Sequence, residues 1–341
     1  METQIMKSIG NPWQSQWGFN PSTQSDITDW KQVSSLVYPT SSSALLVTKN
    51  HMYILGGFNK NTIANTIQGV SFDDNGDLIS NWNIVGYIPE GMHSMGYTVA
   101  KNRFYLIGGA NHLDGYSTVY SAHINEDGTL GTFRTEKPLP TERYGFVCFV
   151  IKDKLYVVGG GNGSYIKEIY RTTINNDGTL NEWEILPDFP IYFDCGTPLI
   201  IKDKIYIFGT YYEYEESRIY YTTYDSNGDI GKWTYVGNMP NNVLASAIVC
   251  NDNYIFSICG LDINNDQNTN AIYCAPILSD GGIGDWTRIS NAPIVGNNVK
   301  SAIVGNKIYL IGGYNNGTNL DIVYSATFAS GITNYIPYFS D

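Results

Sequence analysis

The chain has 341 residues, 43% of them hydrophobic and 15% charged, with a formal net charge of −12. That composition can build a substantial core, unlike a disordered chain, and the acidic balance argues against a nucleic-acid partner, which needs clustered Lys and Arg to meet phosphates. No apolar run approaches the roughly 20 residues that span a bilayer, and the opening METQIMKSIGNPWQSQWGF lacks the apolar centre of a secretory leader, so synthesis in the cytoplasm without membrane insertion is expected.

Residues 1–24 stand apart from the rest of the chain and carry Trp13 and Trp17 among polar neighbours. Tryptophan is a common interface anchor, so this arm is expected to dock on a protein assembly. From residue 25 onward one phrase recurs. An apolar strand ends at Gly56-Gly57, Gly108-Gly109, Gly159-Gly160 and Gly312-Gly313, with altered pairs at Gly209-Thr210 and Cys259-Gly260. Upstream of each lies Trp30, Trp82, Phe133, Trp183, Trp233 or Trp286, and the interval to the second residue of the pair is 27 in all six cases. Four residues before that second position stands Tyr53, Tyr105, Tyr156, Tyr206, Phe256 or Tyr309. This spacing defines six units of about fifty residues.

Each unit reads as four short strands. In the third, GFVCFVI (145–151) is followed by a tight turn whose Asp153 suits a positive φ, and KLYVVGG (154–160) ends where backbones bend or crowd. EIYRTTI (168–174) then leads through NNDGTL to a strand carrying Trp183 and ending near Pro190. The glycine of that turn is placed to take an unusual φ. No stretch shows helical periodicity, so the fold class is all-β, and four strands repeated six times predict a six-bladed β-propeller of antiparallel blades over residues 25–328, with 329–341 as a tail. The strand ending in Tyr-x-x-Gly-Gly, followed by a distant Tyr and then Trp, resembles the kelch repeat of the galactose-oxidase-like superfamily. Thr210, Cys259 and Phe133 depart from that pattern, and blades four and five are expected to be locally distorted. Trp30 precedes the first glycine pair, and the last pair is followed by little beyond LDIVYSATF, so an N-terminal strand is expected to complete the last blade; the alternative is GITNYIP (331–337) with Tyr335.

In such a blade the connections after the second and fourth strands share one face and vary from unit to unit, which is where binding usually resides. That face gathers His93, His112, Glu142, Arg143, Tyr144, Tyr192, Asp194, Tyr211, Tyr212 and Tyr214 as ligand- or partner-binding candidates. Tyr and Asn combine flat apolar surface with adaptable hydrogen bonding, which suits glycan or protein recognition. Arg143 resembles an arginine that recurs in kelch repeats; it is placed either to bind a carboxylate or to pair with Glu142 or another acid. Glu142 and Asp194 could meet for acid–base work, yet most such acids are merely solvated, and no catalytic or phosphate-binding motif is present.

Asp262, Asn264 and Asp266 alternate like a calcium loop, but Gln267 and Tyr273 stand where an EF-hand needs Gly and Glu. No metal or other cofactor is expected. The five cysteines form no CxxC pair and read as buried thiols. The function expected is non-catalytic recognition and assembly by an acidic protein that binds a glycan or protein through its loop face. Kelch-like chains with this turn and composition resemble those of bacteria and their phages, which implies a virion tail or head decoration. The alternative is a carbohydrate-active enzyme, because the six-bladed sialic-acid mutarotases and some glycosidases are similar in architecture.

Overall fold

The computed structural model describes residues 27–59, 62–112, 114–212 and 216–328. Six antiparallel blade sheets are built in turn, each from four strands that follow in order along the chain, except that blade 5 carries a fifth short strand and blade 6 draws its fourth from elsewhere. In blade 3 these are Val147–Ile151, Lys154–Val158, Ile169–Thr173 and Glu184–Leu186, counted from the centre outward. The innermost strands of the other blades are Ala44–Val47, Gly96–Ala100, Thr197–Ile201, Ala247–Cys250 and Lys300–Val304 for blades 1, 2, 4, 5 and 6. Side chains from all six line one central channel, which makes the assembly a six-bladed propeller. The only helical segment among the described residues is a 3-10 turn at Pro240–Asn242, and no helix there is long and apolar enough to cross a membrane.

Blade 6 has no covalently consecutive fourth strand. Ile27–Ser35, from the other end of the described chain, pairs antiparallel with Ile322–Phe328 and completes the blade. The N-terminal closure expected from the position of Trp30 is therefore the one observed, while the alternative strand at 331–337 lies outside the described residues.

The second strand of a blade is packed on both faces, which is why LYVV in Lys154–Val158 is uniformly apolar rather than alternating. The outermost strands face solvent on one side, and Asn83–Tyr87 alternates between exposed and half-buried positions accordingly. Apolar burial is concentrated between blades. Met52, Ile54 and Trp82 of blade 1 pack against Ala302, Tyr309 and Val323 of blade 6, and Phe256 and Ile272 of blade 5 against Ile308 and Leu310 of blade 6.

A second device joins the blades. The Tyr53 hydroxyl donates to the Gly128 carbonyl at 3.2 Å, Tyr105 to Gly178 at 2.6 Å, Tyr156 to Gly228 at 2.8 Å and Tyr206 to Gly281 at 2.8 Å, while Tyr309 donates to Gly76. Each donor sits in the second strand of one blade, and each acceptor in the third-to-fourth turn of the next. The turn glycines take left-handed φ near 80°, as at Gly128 (82°) and Gly178 (78°). Lysines beside the tyrosines reach acids of the same turns, Lys154 to Asp229 and Lys307 to Asp77.

Blade 5 breaks this rule with Phe256 in place of tyrosine and Tyr254 in place of lysine. The reason lies in blade 6. Its third and fourth strands come from opposite ends of the described chain, and among the described residues no third-to-fourth turn offers Phe256 a glycine carbonyl. A hydroxyl there would be buried with no acceptor among the described residues, since Phe256 is fully buried.

The first-to-second turns differ in detail from expectation. In blades 3 and 4 the left-handed residue is Lys152 (φ 58°) or Lys202 (φ 56°), one position before the Asp that the sequence favours for it. At the other end of the second strand, Gly108 and Gly109 take φ of 53° and 96° and turn the chain sharply. A Cβ on Gly108 would lie 2.5 Å from the Arg143 carbonyl of the next blade. Blade 4 has Thr210 at the second position; the chain does not turn there but runs on as a long hairpin, Lys204–Tyr212 with Glu216–Thr223. Blade 5 similarly extends through Tyr254–Asp262 and Gln267–Pro276, with Val243–Leu244 added alongside. The distortion expected at these two blades is thus an elongation towards the loop face.

Tyr105→Phe should lower stability by about 1–3 kcal/mol in urea unfolding, because the Gly178 carbonyl loses its buried donor. Phe256→Tyr should give no gain and a net loss; an increase in stability would refute the account of the blade 5–blade 6 seam.

Candidate functional site

Each innermost strand is entered through a residue in the left-handed region: Ser42 (φ 51°), Ser94 (51°), Gly145 (65°), Cys195 (64°), Ala245 (50°) and Asn298 (51°). Each stands fifteen residues before the second position of its glycine pair, so the repeat fixes a ring of six at the loop-face end of the channel. Backbone bonds link this ring from blade to blade: Ser94 N–H to Ser42 O at 2.9 Å, Gly145 to Ser94 at 2.9 Å, Cys195 to Gly145 at 2.8 Å and Asn298 to Ala245 at 2.9 Å.

The ring frames a mouth of about 360 Å³, lined also by Ser43, Tyr97, Thr197, Ser246, Lys300 and Ser301. Among the described residues that line it, Lys300 alone is charged. At the corresponding position, thirteen before the second residue of each pair, the other units carry Ala44, Gly96, Val147, Thr197 and Ala247. The Lys300 ammonium sits 5.3 Å from the centroid of the Tyr97 ring. Hydroxyls, a cation and an aromatic face therefore converge on one opening, which suits an acidic, hydroxyl-bearing ligand.

One residue before the ring lie three of the residues singled out in the sequence, in consecutive blades: His93, Tyr144 and Asp194. Their backbones bridge to Ala110, Gly161 and Tyr211 respectively, so Tyr211 stands beside Asp194. The His93 ring lies with Nδ1 3.0 Å from Ser94 Oγ. Burial pulls its pKa down, with a smaller opposing hydrogen bond from Asn111 and a further lowering from His112. Phe58 sits edge-on to both imidazoles, with centroids 5.8 Å from His93 and 5.6 Å from His112. The Tyr144 hydroxyl accepts the Gly163 N–H at 3.2 Å.

Asp194 Oδ1 accepts the Cys195 N–H at 2.7 Å and occupies space that a side chain at position 145 would take: a Cβ on Gly145 would lie 1.9 Å from it. Burial pushes the Asp194 carboxyl up, against the hydrogen bonds from Cys195. The Cys195 thiol is pushed well up by burial and then by the neighbouring Asp194 charge, with Lys300 pulling the other way. The mouth thus holds one ammonium and a thiol whose pKa is raised, with the Asp194 carboxyl beside that thiol.

The remaining predicted residues are placed elsewhere. Arg143 is fully buried: its Nη1 donates to the Gly159 carbonyl at 3.0 Å and the Glu168 carbonyl at 2.9 Å, and the guanidinium stacks 4.2 Å from the Tyr170 centroid. It braces a loop and is turned away from solvent; the acid it faces is Glu168, whose Oε2 lies 3.9 Å from Nη2, while Glu142 is exposed. Tyr192 is 48% exposed, with the Lys167 ammonium 5.0 Å over its ring. Tyr212 lies at the end of the long blade 4 hairpin, and Tyr214, Trp13 and Trp17 fall outside the described residues.

Asp262, Asn264 and Asp266 belong to the blade 5 hairpin turn. The Asp262 carboxylate is taken up by amide donors, Asn241 Nδ2 at 2.6 Å, Asn265 Nδ2 at 2.9 Å and the Asn264 N–H at 3.0 Å. Among the described residues no group of three or more His, Cys, Asp or Glu is placed to hold a metal ion. The sequence reading missed the ring and Lys300, although both stand at positions that recur at fixed distances from the glycine pairs.

A carboxyl whose folded pKa is raised above its unfolded one weakens the fold when ionised, at pH above the folded value, and this penalty fades as pH falls to the unfolded value. Asp194→Asn keeps an acceptor for Cys195. It should therefore unfold at higher urea than the wild type at neutral pH, with the advantage shrinking as pH approaches about 4. An advantage independent of pH would contradict the assignment.

A family model described as Kelch motif matches residues 296–325, which run from the blade 6 entry loop into its third strand. No curated protein matches the sequence. Among solved structures, one titled "Structure of YjhT" aligns with a TM-score of 0.66 and 14% identity, covering 85% of this chain and 95% of that one. At that identity the likeness is one of fold. The chain is a six-bladed β-propeller whose sixth blade matches the Kelch motif.

Proposed function

We propose that this propeller is a recognition protein that binds an acidic glycan, or an acidic side chain of a protein partner, at the channel mouth on its loop face. The fold supports a binding role, and the observation that carries the finer reading is Lys300: the one charge among the described residues lining the mouth, set beside the Tyr97 ring and ringed by Ser42, Ser43, Ser94 and Ser301. A sugar offers hydroxyls to such a ring and an apolar face to tyrosine, and its carboxylate would meet the ammonium. Attachment of residues 1–24 to a larger assembly, and with it a virion setting, rests on Trp13 and Trp17 in the sequence and forms no part of this site.

A glycan array that includes uncharged and acid-bearing sugars tests the reading. Acidic members should bind, and Lys300→Glu should weaken them roughly tenfold or more while leaving the fold intact. Binding confined to neutral sugars, or untouched by Lys300→Glu, would overturn it.

A second reading, a carbohydrate-active enzyme, is favoured by one observation. Asp194, next to the mouth residue Cys195, is a carboxyl pushed up by burial, a state suited to giving up a proton. NMR of a bound sugar separates the two: anomer exchange or hydrolysis that Asp194→Asn abolishes supports the enzyme, and an unchanged sugar supports recognition alone.

A further inference from the structure

Below the mouth the channel changes character. A cavity of about 330 Å³ is walled by Leu45, Val47, Val99, Phe149, Ile200 and Ile303 among other described residues, none of them charged. That volume is at the small end of ligand pockets. Aliphatic walls give water few partners, so such a space favours an apolar occupant. The cavity is continuous with the mouth, because Tyr97, Cys148, Pro198, Leu199, Ile248 and Ser301 line both. Lys300 stands directly before Ser301 at this junction, above the apolar section.

We propose that the channel binds a single-chain amphiphilic carboxylate, its alkyl tail in the lower cavity and its carboxylate beside Lys300 and Ser301. The order of chemistry along the channel selects this class. A neutral chain of equal length forgoes the charge-assisted contact with the ammonium, and a cationic amphiphile is repelled by it. A short hydrophilic acid reaches Lys300 but leaves the aliphatic walls unfilled. The inference rests on Lys300 as the anion site of the reading above and adds the apolar portion of the ligand, which that reading does not require.

Calorimetric titration of the full chain with the sodium alkanoates from butanoate to dodecanoate, each below its micellar concentration, tests it. Affinity should rise roughly fourfold with each added methylene until the cavity is full, then level off. The alcohol of the same length should bind roughly tenfold more weakly. Lys300→Gln should erase that difference between acid and alcohol yet keep the dependence on chain length. Leu45→Trp and Ile200→Trp, each checked for folding by circular dichroism, should shorten the length at which affinity levels off and keep the preference for the acid.

Affinity independent of chain length, or equal binding of acid and alcohol by the wild type, would overturn the proposal. So would binding that emerges only after residues 329–341 are removed, since the chain's own tail would then be the occupant. Acidic glycans that bind and depend on Lys300 while alkanoates do not would defeat this inference and leave the recognition reading standing; the reverse pattern would do the opposite.

Discussion

A tyrosine hydroxyl from one blade bonded to a turn carbonyl of the next is the contact on which the ring is built. A single four-stranded blade is apolar on both faces along its second strand and has no core of its own, so its burial is completed only by its neighbours. Packing alone would allow adjacent blades to slide. The hydroxyl fixes their relation, because its acceptor is one carbonyl of a turn whose glycine takes a left-handed φ. The turn is itself held in shape: Asp127 and Asp177 each accept a backbone N–H and a hydroxyl from the threonine two residues on. Turn chemistry in one blade is thereby coupled to strand position in the blade before it.

The seam obeys the same logic in reverse. Blade 6 takes its fourth strand from the N-terminal side of the chain, and among the described residues no turn there receives a side chain from blade 5. Phe256 and Tyr254 stand where the hydroxyl and the cation occur elsewhere, and the Phe256 ring packs into the cluster shared with Ile308 and Leu310. Closure at this point depends on strand pairing between Ile27–Ser35 and Ile322–Phe328 together with apolar burial.

The architecture was legible because its physical requirements recur at constant intervals. A glycine pair, the aromatic 27 residues before it and the tyrosine four before its second member specify bend, wedge and latch, and these are enough to count blades and to place the closing strand. The site was less legible. Arg143 reads either as a ligand-binding guanidinium or as the partner of a neighbouring acid, because its residue type serves carboxylates well, and only the packed structure reveals Glu168, two loop carbonyls and the Tyr170 ring around it. His93, Tyr144 and Asp194 were found through their loops, but that they precede the ring residues of successive blades depends on how those loops turn inward. Lys300 went unnoticed because a lysine at a strand start is common; it becomes distinctive only when aligned with the small or uncharged residues of the other five units.

That contrast locates function in the departures from the repeat. A perfectly repeated propeller would have a six-fold mouth with no preferred direction and no reason to bind an asymmetric ligand. Here blade 6 contributes the ammonium of Lys300 and blade 4 the thiol of Cys195 with Asp194 beside it, and Lys300 pulls the Cys195 pKa down against burial. Blade 4 is also where the second glycine becomes Thr210 and the hairpin runs on past the bend, while Tyr211 bridges to Asp194 at the place where Phe58 and Tyr314 bridge to Ser41 and Asn297 in blades 1 and 6. In blades 2 and 3 the same place is held by Ala110 and Gly161. The bridge thus belongs to the repeated scaffold, and what differs from blade to blade is the residue standing on it: an aromatic beside the carboxyl in blade 4, small residues in blades 2 and 3.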